Sequence, residues 1–511
     1  MTGTTIIARL SLLALIAGLA MFLVSCQGLE NRPVGGTPTG DSLQTSVNHI
    51  IIMLQENRSL DHYFGAMRQY WADFGYPDQP FDGLPQFPTT SPSGPAPTNP
   101  GCDPAFPFPG NNCTMNAQSP PVESFHLITQ CLENPSPSWN ESHVSLNLGD
   151  PTQGYTGSLD TSLNGFVFAA ANDARQIQPP YNDVAGQRAM GYYDGSDLNY
   201  YYFLASNFAT SDRWFSPVMT RTPPNRMYLL SGTSQGHAYQ LGPTSTLLTA
   251  TTIFEKLQAA GITWKIYVHP GANGCDTAEC LYKLSYIQNF TYGPTILSQF
   301  PQNLVSDAQF ISDAQNGTLP QVALIEPASE VGLDEHPSDI DADPPCCSIQ
   351  EGAKYVSSLL NALMNGPNWK DSIFILTFDE AGGFYDHVPP QKTVHPDEIH
   401  PSDLFPNDVC ASDTGAWVGG ETCDFDYTGY RVPLLVISPF TKRNFVSHTT
   451  ADYTAILKLI ETRFDLGSLT KRDAAQMDMT EFFDFTNPPW VTPPSPPQQN
   501  VGGPCYLDRL P

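Results

Sequence analysis

The chain has 511 residues and carries 51 acidic against 23 basic side chains, which gives a formal net charge of −28 at pH 7. A chain this acidic, with no basic patch in its sequence, is poorly suited to a polyanion, and this argues against nucleic acid as a partner. Hydrophobic residues make up 40% of the sequence, which excludes a disordered chain. The 48 prolines and 39 glycines predict many loops between the core elements of a large globular domain.

The first segment of the chain predicts export. Arg9 precedes an apolar run over residues 10–24, and a small residue and Cys26 follow, as in a secretory signal. Residues 23–26 also resemble a bacterial lipobox, in which Cys26 is lipidated and becomes the first mature residue. The alternatives are a plainly cleaved signal and a transmembrane anchor over residues 6–25. All three place the rest of the chain outside the cytoplasm, secreted or in a bacterial cell envelope.

Cysteine usage fits an oxidising compartment. Of the 11 cysteines, Cys26 belongs to the signal, and the remaining even number suits disulfides in an exported protein. Three pairs close in sequence are plausible local loops, although the sequence does not decide the pairing: Cys102–Cys113, Cys275–Cys280 and Cys410–Cys423. No Cys-x-x-Cys spacing occurs, which argues against a zinc–thiolate cluster.

Composition also divides the chain after the signal peptide of residues 1–26. Residues 27–45 are rich in Gly, Pro and Thr and predict a flexible tether. The main domain is expected over residues 46–485. Within it, residues 66–125 are dense in Pro, Gly, Phe and Asn without a helical period, and predict a loop-rich insertion for which a substrate lid is one hypothesis. Residues 486–511 form a Pro-rich tail, expected on the surface.

Short apolar runs alternate with amphipathic segments along the main domain. The runs predict strands over residues 50–54, 264–268, 322–325, 372–378 and 432–437. The amphipathic segments predict helices over residues 198–208, 252–260, 353–364 and 449–464, the last capped by Ser447 or Thr449. Such alternation predicts an α/β layered fold with a largely parallel central sheet.

Polar side chains directly follow two of the predicted strands. Glu56 and Asn57 come after the first strand, and Asp379 and Glu380 come after the strand over residues 372–378. The carboxyl ends of parallel strands meet at one edge of an open α/β sheet, where ligands bind. Several acids brought together there call for a cation, and oxygen ligands favour Ca²⁺, Mg²⁺ or Mn²⁺, with Zn²⁺ as a further alternative. The competing interpretation is that these side chains cap turns or face solvent at separate places.

Residues 217–233 offer a nucleophile. Thr220 and Thr222 lie beside Arg221 and Arg226, and a hydroxyl next to a divalent cation is acidified and can attack an electrophile. The arginines suit an anionic substrate such as phosphate, although a lone threonine before proline is more often a turn residue. Histidines in polar contexts are candidates for protonating a leaving group or contacting phosphate oxygens: His126, His143, His269, His336 and His387.

Long motifs at these positions resemble one family, the bacterial phosphoesterases that include non-specific phospholipases C and the respiratory-burst-inhibiting acid phosphatase. The motifs are NHIIIMLQENRSLDHYFG, MGYYDGSDLNYYYFLASNFATSDRWFSPVMTRTPPNRMYLLSGT, EHPSD, TFDEAGGFYDHVPP and YRVPLLVISPFTKRNFVSHTTADYTAILKLIETRF. The resemblance implies an alkaline-phosphatase-like three-layer α/β sandwich and a hydrolase that acts on phosphoric esters.

The resemblance also implies roles for individual residues. The implied metal ligands are Glu56, Asn57, Thr222, Asp379 and Glu380. Thr222 matches the nucleophile, and the other implied catalytic residues are Asn57, His336 of the Glu-His-Pro element and His143 of a Trp-x-x-x-His segment that begins at Trp139. His126, His269 and Arg226 are implied substrate-binding residues. The chain departs from the family at Thr220-Arg221-Thr222, where Gly-Pro-Thr is common, and the spacing to Asn225 favours Thr222 as the nucleophile.

Together these observations predict an exported phosphoesterase with one divalent metal ion. A phospholipase C-like activity on phospholipid head groups is the first interpretation, supported by the expected lipid anchor that would hold the protein at a membrane. Acid phosphatase activity on phosphomonoesters is the alternative, favoured because a phospholipase-type C-terminal extension is missing from this sequence. A non-catalytic, surface-binding lipoprotein on the same fold is the alternative of another class. A sulfatase is disfavoured because the sequence has no Cys-x-Pro-x-Arg element.

Overall fold

The computed structural model describes residues 40–87, 94–153, 162–338 and 348–510. The expected signal peptide, Cys26 and most of the tether lie outside the described residues. Among the described helices, none combines the length and the apolar character that a membrane crossing needs.

The helices and strands follow each other in a mixed order along the chain. The helices are α1 Leu43–Ser46, α2 Leu60–Phe64, α3 Met67–Phe74, α4 Trp139–Leu146, α5 Phe166–Gln176, α6 Asn199–Asn207, α7 Thr222–Ser231, α8 Ile253–Ala259, α9 Ala278–Lys283, α10 Gly293–Gln299, α11 Asp307–Asn316, α12 Ile349–Met364, α13 Ala455–Phe464 and α14 Lys471–Ala474. The strands are β1 His49–Gln55, β2 Thr98–Pro100, β3 Pro121–Glu123, β4 Phe125–His126, β5 Gly191–Tyr192, β6 Ala209–Ser211, β7 Trp214–Phe215, β8 Trp264–Val268, β9 Leu304–Ser306, β10 Val322–Ile325, β11 Ser372–Phe378, β12 Leu434–Ile437, β13 Phe445–Ser447 and β14 Ala451–Asp452.

Eight of these strands form the central sheet, in the order β13-β6-β12-β11-β1-β10-β8-β9. Strand β1 lies between β10 and β11 and runs parallel to both. Its register pairs Gln55 with Phe378, so the residues that follow β1 and β11 leave the sheet side by side. The predicted α/β fold with a largely parallel sheet is therefore confirmed.

The two central strands are buried on both faces. Every residue of β11 is buried, as is every residue of β1 after His49. Their runs of β-branched and aromatic side chains lack the polar alternation of a strand with one wet face, which is typical of parallel sheets covered on both sides. Burial on both faces means that the sheet is the middle of three layers, as expected for an α/β sandwich.

Strand β12 is shorter than predicted, and its direction is reversed, which the sequence did not predict. It begins at Leu434 rather than at residue 432 and runs antiparallel to both β11 and β6. An apolar run carries no signal of strand direction, so periodicity alone did not distinguish the two arrangements. Strand β12 is the one reversed strand of the central sheet among the described residues.

One helix prediction needs correction, and helix α7 was not predicted. The helix expected over residues 449–464 begins only at Ala455, with Thr454 rather than Ser447 or Thr449 at its N-cap. The preceding residues instead pair in parallel with Trp214–Phe215 as strand β14. Helix α7 has no counterpart among the predicted helices; it contains the two prolines that follow Thr222, and prolines are well tolerated in the first turn of a helix.

The insertion over residues 66–125 also contains a helix, so the expectation of no helical period there is wrong. Helix α3 buries Met67, Tyr70 and Trp71, which lie on one face at helical spacing. The rest of the insertion that the structure describes consists of loops, the short pair β2–β3, and strand β4, which begins at its last residue. Its lid role stays a prediction.

Four disulfides join described cysteines. The three local pairs predicted from spacing are present, and a fourth joins Cys131 to Cys505. This last bond ties the C-terminal tail to the main domain. Most of the tail is exposed, as predicted, but Trp490 and Gln499 are buried against the domain.

Candidate active site

Asn57 is the meeting point of the residues that follow the two central strands. Its backbone N–H donates to Asp379 Oδ1 at 2.9 Å, and its side-chain Oδ1 accepts from Thr222 Oγ1 at 3.1 Å. Its Nδ2 lies 3.1 Å from His336 Nε2 and donates to it. One buried amide thus contacts a strand-end acid, the candidate nucleophile and the candidate histidine.

The backbone around Asn57 requires a glycine across from it. Asn57 has a φ of 62°, in the left-handed region. Gly382 has a φ of 70°, and a Cβ added to it would lie 2.2 Å from the Asn57 carbonyl oxygen. The two turns therefore pack backbone against backbone, which brings the ends of β1 and β11 together.

Replacing Gly382 by alanine is expected to destabilise the protein by about 3 kcal/mol or more, because it combines a left-handed backbone with a backbone clash. It should also lower activity by displacing Asn57. Gly75→Ala is the matched control, since Gly75 has a φ of 72° but open space around its Cα, and it should cost only about 1 kcal/mol. Urea denaturation of both variants measures the difference, and equal losses would contradict the close approach.

Three buried acids surround this meeting point. Burial and the neighbouring charge of Asp379 raise the pKa of Glu56 well above its ordinary value, and the same two causes raise the pKa of Glu380. Arg226 is the buried base beside them, with Nη2 3.4 Å from Glu56 Oε1 and Nε 3.5 Å from Asp379 Oδ2. One arginine cannot balance three carboxyl groups when all are ionised, so a further positive charge would favour their ionised forms.

The donor set fits a hard divalent cation. Glu380 Oε1 is buried without a hydrogen-bond donor, and Asp379 Oδ2 is buried with only the 3.5 Å ion pair to Arg226, so both carboxylates retain capacity for another partner. The amide oxygen of Asn57 and the hydroxyl of Thr222 add oxygen donors of the kind that Mg²⁺, Mn²⁺ and Ca²⁺ take. Tighter groups of three potential ligands occur elsewhere in the described chain: His395, His400 and Asp424; Asp61, Asp386 and His387; and His126, Asp194 and Asp197.

Thr222 stands at the start of helix α7 and opens into a cavity. The N-terminus of a helix favours negative charge, which suits a phosphoryl group facing Thr222. The cavity has a volume of about 360 Å³. Its lining residues are mostly polar: Glu56, Asn57, Asn134, Ser136, Pro137, Asp173, Ile177, Tyr181, Arg221, Thr222, Pro223, Gln240, Tyr286 and His336.

His336 lies half-buried on the wall of this cavity. Its Nδ1 donates to the Pro337 carbonyl at 2.5 Å, which leaves Nε2 as the unprotonated nitrogen that accepts from Asn57. Its backbone N–H donates to Asp334 Oδ1 at 3.2 Å. The ring is therefore oriented by two contacts and its backbone by a third, with a proton-accepting nitrogen beside the Asn57 amide.

The other predicted site residues lie away from the cavity lining. His143 is fully buried, with its two ring nitrogens 2.6 Å and 3.1 Å from the carbonyl oxygens of Trp139 and Thr422. His126 pairs with Asp197 at 2.8 Å, and His269 lies 4.0 Å from Asp307. Arg226 is buried among the acids. Contacts of these four side chains with substrate stay predictions.

Sequence reasoning missed two acids of the site, Glu326 and Asp334, and the cavity-lining Tyr286. Glu326 directly follows β10, as Glu56 follows β1, so the same strand-end rule indicates it. It accepts from Ser285 Oγ and from the backbone N–H of Tyr286. Asp334 accepts from Glu56 through its backbone carbonyl, a long-range contact for which the sequence offers no signal.

Below the site, Glu335 is a fully buried carboxyl group with an unusual environment. It accepts from Tyr201 at 2.5 Å, from Tyr63 at 2.6 Å and from Gln55 at 3.0 Å. Burial raises its pKa to about 7, against the opposing effect of these hydrogen bonds. Because this folded-state pKa exceeds the ordinary value of 4.5, the protonated form stabilises the fold, and that contribution is lost as the pH rises toward 7.

We expect the stability advantage of the wild type over Glu335→Gln to shrink by roughly 3 kcal/mol from about pH 4 to about pH 8, at about 1.36 kcal/mol per pKa unit. Urea denaturation at several pH values measures this difference. Glu351→Gln removes a half-exposed carboxyl group that pairs with Lys354 and serves as the control, with a nearly constant difference. A flat profile for Glu335→Gln would contradict the raised pKa.

Comparison with known proteins identifies the family of the chain. A profile of the Phosphoesterase family matches residues 47–467. Phospholipase C B of Mycobacterium tuberculosis is 28% identical over 91% of this chain and 82% of its own length, and phospholipase C A of the same organism is 26% identical over 97% and 88%. A solved alkaline phosphatase superfamily protein from Vibrio parahaemolyticus is 13% identical, covers 54% of this chain and 63% of its own, and has a TM-score of 0.30, too low to carry an argument.

The family match and the likeness to phospholipases C define a hydrolase of phosphoric esters. The chain belongs to the Phosphoesterase family.

Proposed function

We propose that this protein is an exported, phospholipase C-like phosphodiesterase that uses Thr222 as its nucleophile and one divalent cation. The observation that carries the proposal is the set of contacts made by Asn57, which joins Thr222, Asp379 and His336 in one place. The likeness to phospholipases C over 91–97% of the chain supports the substrate class.

The cation would be held by Glu56, Asn57, Thr222, Asp379 and Glu380. When bound, it supplies positive charge that acidifies the Thr222 hydroxyl and balances charge on the phosphoryl oxygens. Arg226 keeps Glu56 and Asp379 in place by pairing with both. Asn57 orients the hydroxyl of Thr222 through Oδ1 and the ring of His336 through Nδ2.

In the proposed reaction, Thr222 Oγ1 forms a bond to phosphorus while the bond from phosphorus to the leaving oxygen breaks. Thr222 passes its proton to solvent water, while His336, after taking up a proton from solvent at Nε2, delivers that proton to the leaving oxygen as a general acid. Water then hydrolyses the phosphothreonine, and its proton follows the reverse route. The N-terminus of α7 favours the phosphoryl charge throughout.

Hydrolysis of phosphomonoesters by the same groups is the second candidate. The Arg221 guanidinium on the cavity wall favours it, because a monoester carries one more negative charge than a diester. Export is supported by the four disulfides among the described residues. We further propose that lipidated Cys26 anchors the protein to a membrane of the cell envelope.

The full chain should hydrolyse p-nitrophenyl phosphocholine, p-nitrophenyl phosphate or both, and a chelator should abolish the reaction. Adding back Ca²⁺, Mg²⁺, Mn²⁺ and Zn²⁺ one at a time then identifies the metal. Faster release from the phosphocholine ester supports the phospholipase C-like activity, whereas faster release from the monoester supports the phosphatase. No release from either ester, with every metal tested, would favour a surface-binding protein on this fold.

A further inference from the structure

Arg221 is a positioned cation in the wall of the active-site cavity. It directly precedes Thr222 in sequence, occupies the N-cap of α7 in an extended conformation, and lines the cavity together with Thr222. Among the described residues that line this cavity, it is the only arginine, and no lysine is present. The other arginine of this segment, Arg226, is buried beside the acids and does not line the cavity.

The Arg221 guanidinium is held by neutral partners. Its Nε donates to Ser138 Oγ at 3.0 Å, Nη2 donates to the same oxygen, and Nη1 donates to Gln240 Oε1 at 2.9 Å. Within the described chain, no carboxylate oxygen lies within 4.0 Å of it. The charge of Arg226, by contrast, is balanced by ion pairs with Glu56 and Asp379. The charge of Arg221 is therefore fixed in position and not neutralised by an ion pair.

Part of the hydrogen-bonding capacity of Arg221 remains for a ligand. A guanidinium has five N–H donors, and the three contacts above leave one on each terminal nitrogen. Two such donors side by side fit two oxygens of a phosphate or a carboxylate.

We propose that Arg221 is a specificity-determining residue that binds a second negative charge of the substrate, carried by a substituent of phosphorus that does not leave. A diester with a neutral or cationic head group offers one negative charge at the phosphoryl group. A monoester offers a second charge on phosphorus, and a diester with an anionic head group offers it on the head group. The favoured substrates are phosphate esters with two negative charges. This inference rests on the proposed hydrolysis at Thr222.

Four p-nitrophenyl phosphates that share one leaving group test this inference, with hydrogen, methyl, carboxyethyl or choline as the other substituent. In Arg221→Gln, kcat/KM for the monoester should fall at least about tenfold more than kcat/KM for the methyl ester. If the head group supplies the charge instead, the carboxyethyl ester should show the larger loss. Arg221→Lys should recover part of the selectivity because it retains the charge. Arg509→Gln, a change at an exposed arginine of the tail, should change kcat/KM by the same factor for all four esters.

Binding gives a readout that does not depend on turnover. With Thr222→Ala as background, calorimetry with inorganic phosphate should show at least about tenfold weaker binding when Arg221→Gln is added. If Arg221→Gln lowers kcat/KM by the same factor for all four esters, or leaves phosphate binding unchanged, the inference is overturned. Arg221 would then be a structural residue at the start of α7. A wild type that hydrolyses none of the esters would refute the proposed function instead, and the phosphate titration would still decide the role of Arg221.

Discussion

Replacing Thr222 by alanine is expected to reduce kcat for any hydrolysed p-nitrophenyl ester by at least about 10⁴-fold, because no other described hydroxyl lies at the Asn57 amide. The fold should survive the change. Thr222 donates one hydrogen bond, to Asn57, so its loss should cost only about 1 kcal/mol of stability. Single-turnover kinetics together with thermal unfolding separate these two effects.

Thr220→Ala is the matched control for this prediction. Thr220 lies two residues earlier, is buried, and donates to the Ala238 carbonyl at 2.7 Å rather than toward the cavity. Its replacement should lower stability by about 1 kcal/mol and leave most of the activity. Thr222→Ser retains the hydroxyl and should retain part of kcat. Near-normal turnover by Thr222→Ala, or a greater loss in Thr220→Ala, would refute the assignment of the nucleophile.

The position of the site followed from the sequence because of a general property of parallel sheets. Apolar runs with polar residues directly after them mark strand ends, and parallel strands bring those ends to one edge. This argument alone joined Glu56 and Asn57 to Asp379 and Glu380, more than three hundred residues apart. The same argument applies to Glu326, which follows β10.

The residues that form the walls of the cavity could not be predicted from strand ends. Ser136 and Gln240 come from loops that contact the site only because of the tertiary fold, and no periodicity marks them. The hydrogen bond from Arg221 to Ser138 joins residues 83 positions apart in the sequence. Strand β12 shows a related limit, because hydrophobicity specifies burial but not strand direction.

The histidines show the limit of residue type as a guide. Five histidines are candidates on equal chemical grounds, yet of these only His336 lines the cavity: His126, His143, His269, His336 and His387. Neighbouring aspartates pair with His126 and His269, and backbone carbonyls hold His143. The tertiary fold decides which polar groups contact each histidine. A short polar motif around a histidine does not indicate which distant residues will pack against it.

Neutralising Glu380 should change the thermal stability of the protein in opposite directions with and without the cation, relative to the wild type. Glu380 accepts from the Gly382 N–H through Oε2, while Oε1 is buried without a donor, and no ion pair depends on it. In chelated protein, Glu380→Gln removes one of several crowded buried acids and is expected to leave the melting temperature unchanged or to raise it. With the cation, the wild type gains stability through ligation, and the variant gains less.

We expect the cation to bind Glu380→Gln at least about tenfold more weakly, a loss of about 1.4 kcal/mol of cation-dependent stability, with activity lowered at least about a hundredfold. Thermal unfolding in chelator and across a titration of the activating cation measures the affinity without relying on turnover. Glu461→Gln is the control, because Glu461 is a buried acid on α13 whose pKa burial raises to about 8, and its loss should leave the cation response intact. Equal cation-induced stabilisation of Glu380→Gln and the wild type would mean that the cation is held elsewhere, and the three compact groups of potential ligands outside the cavity would then be the sites to test.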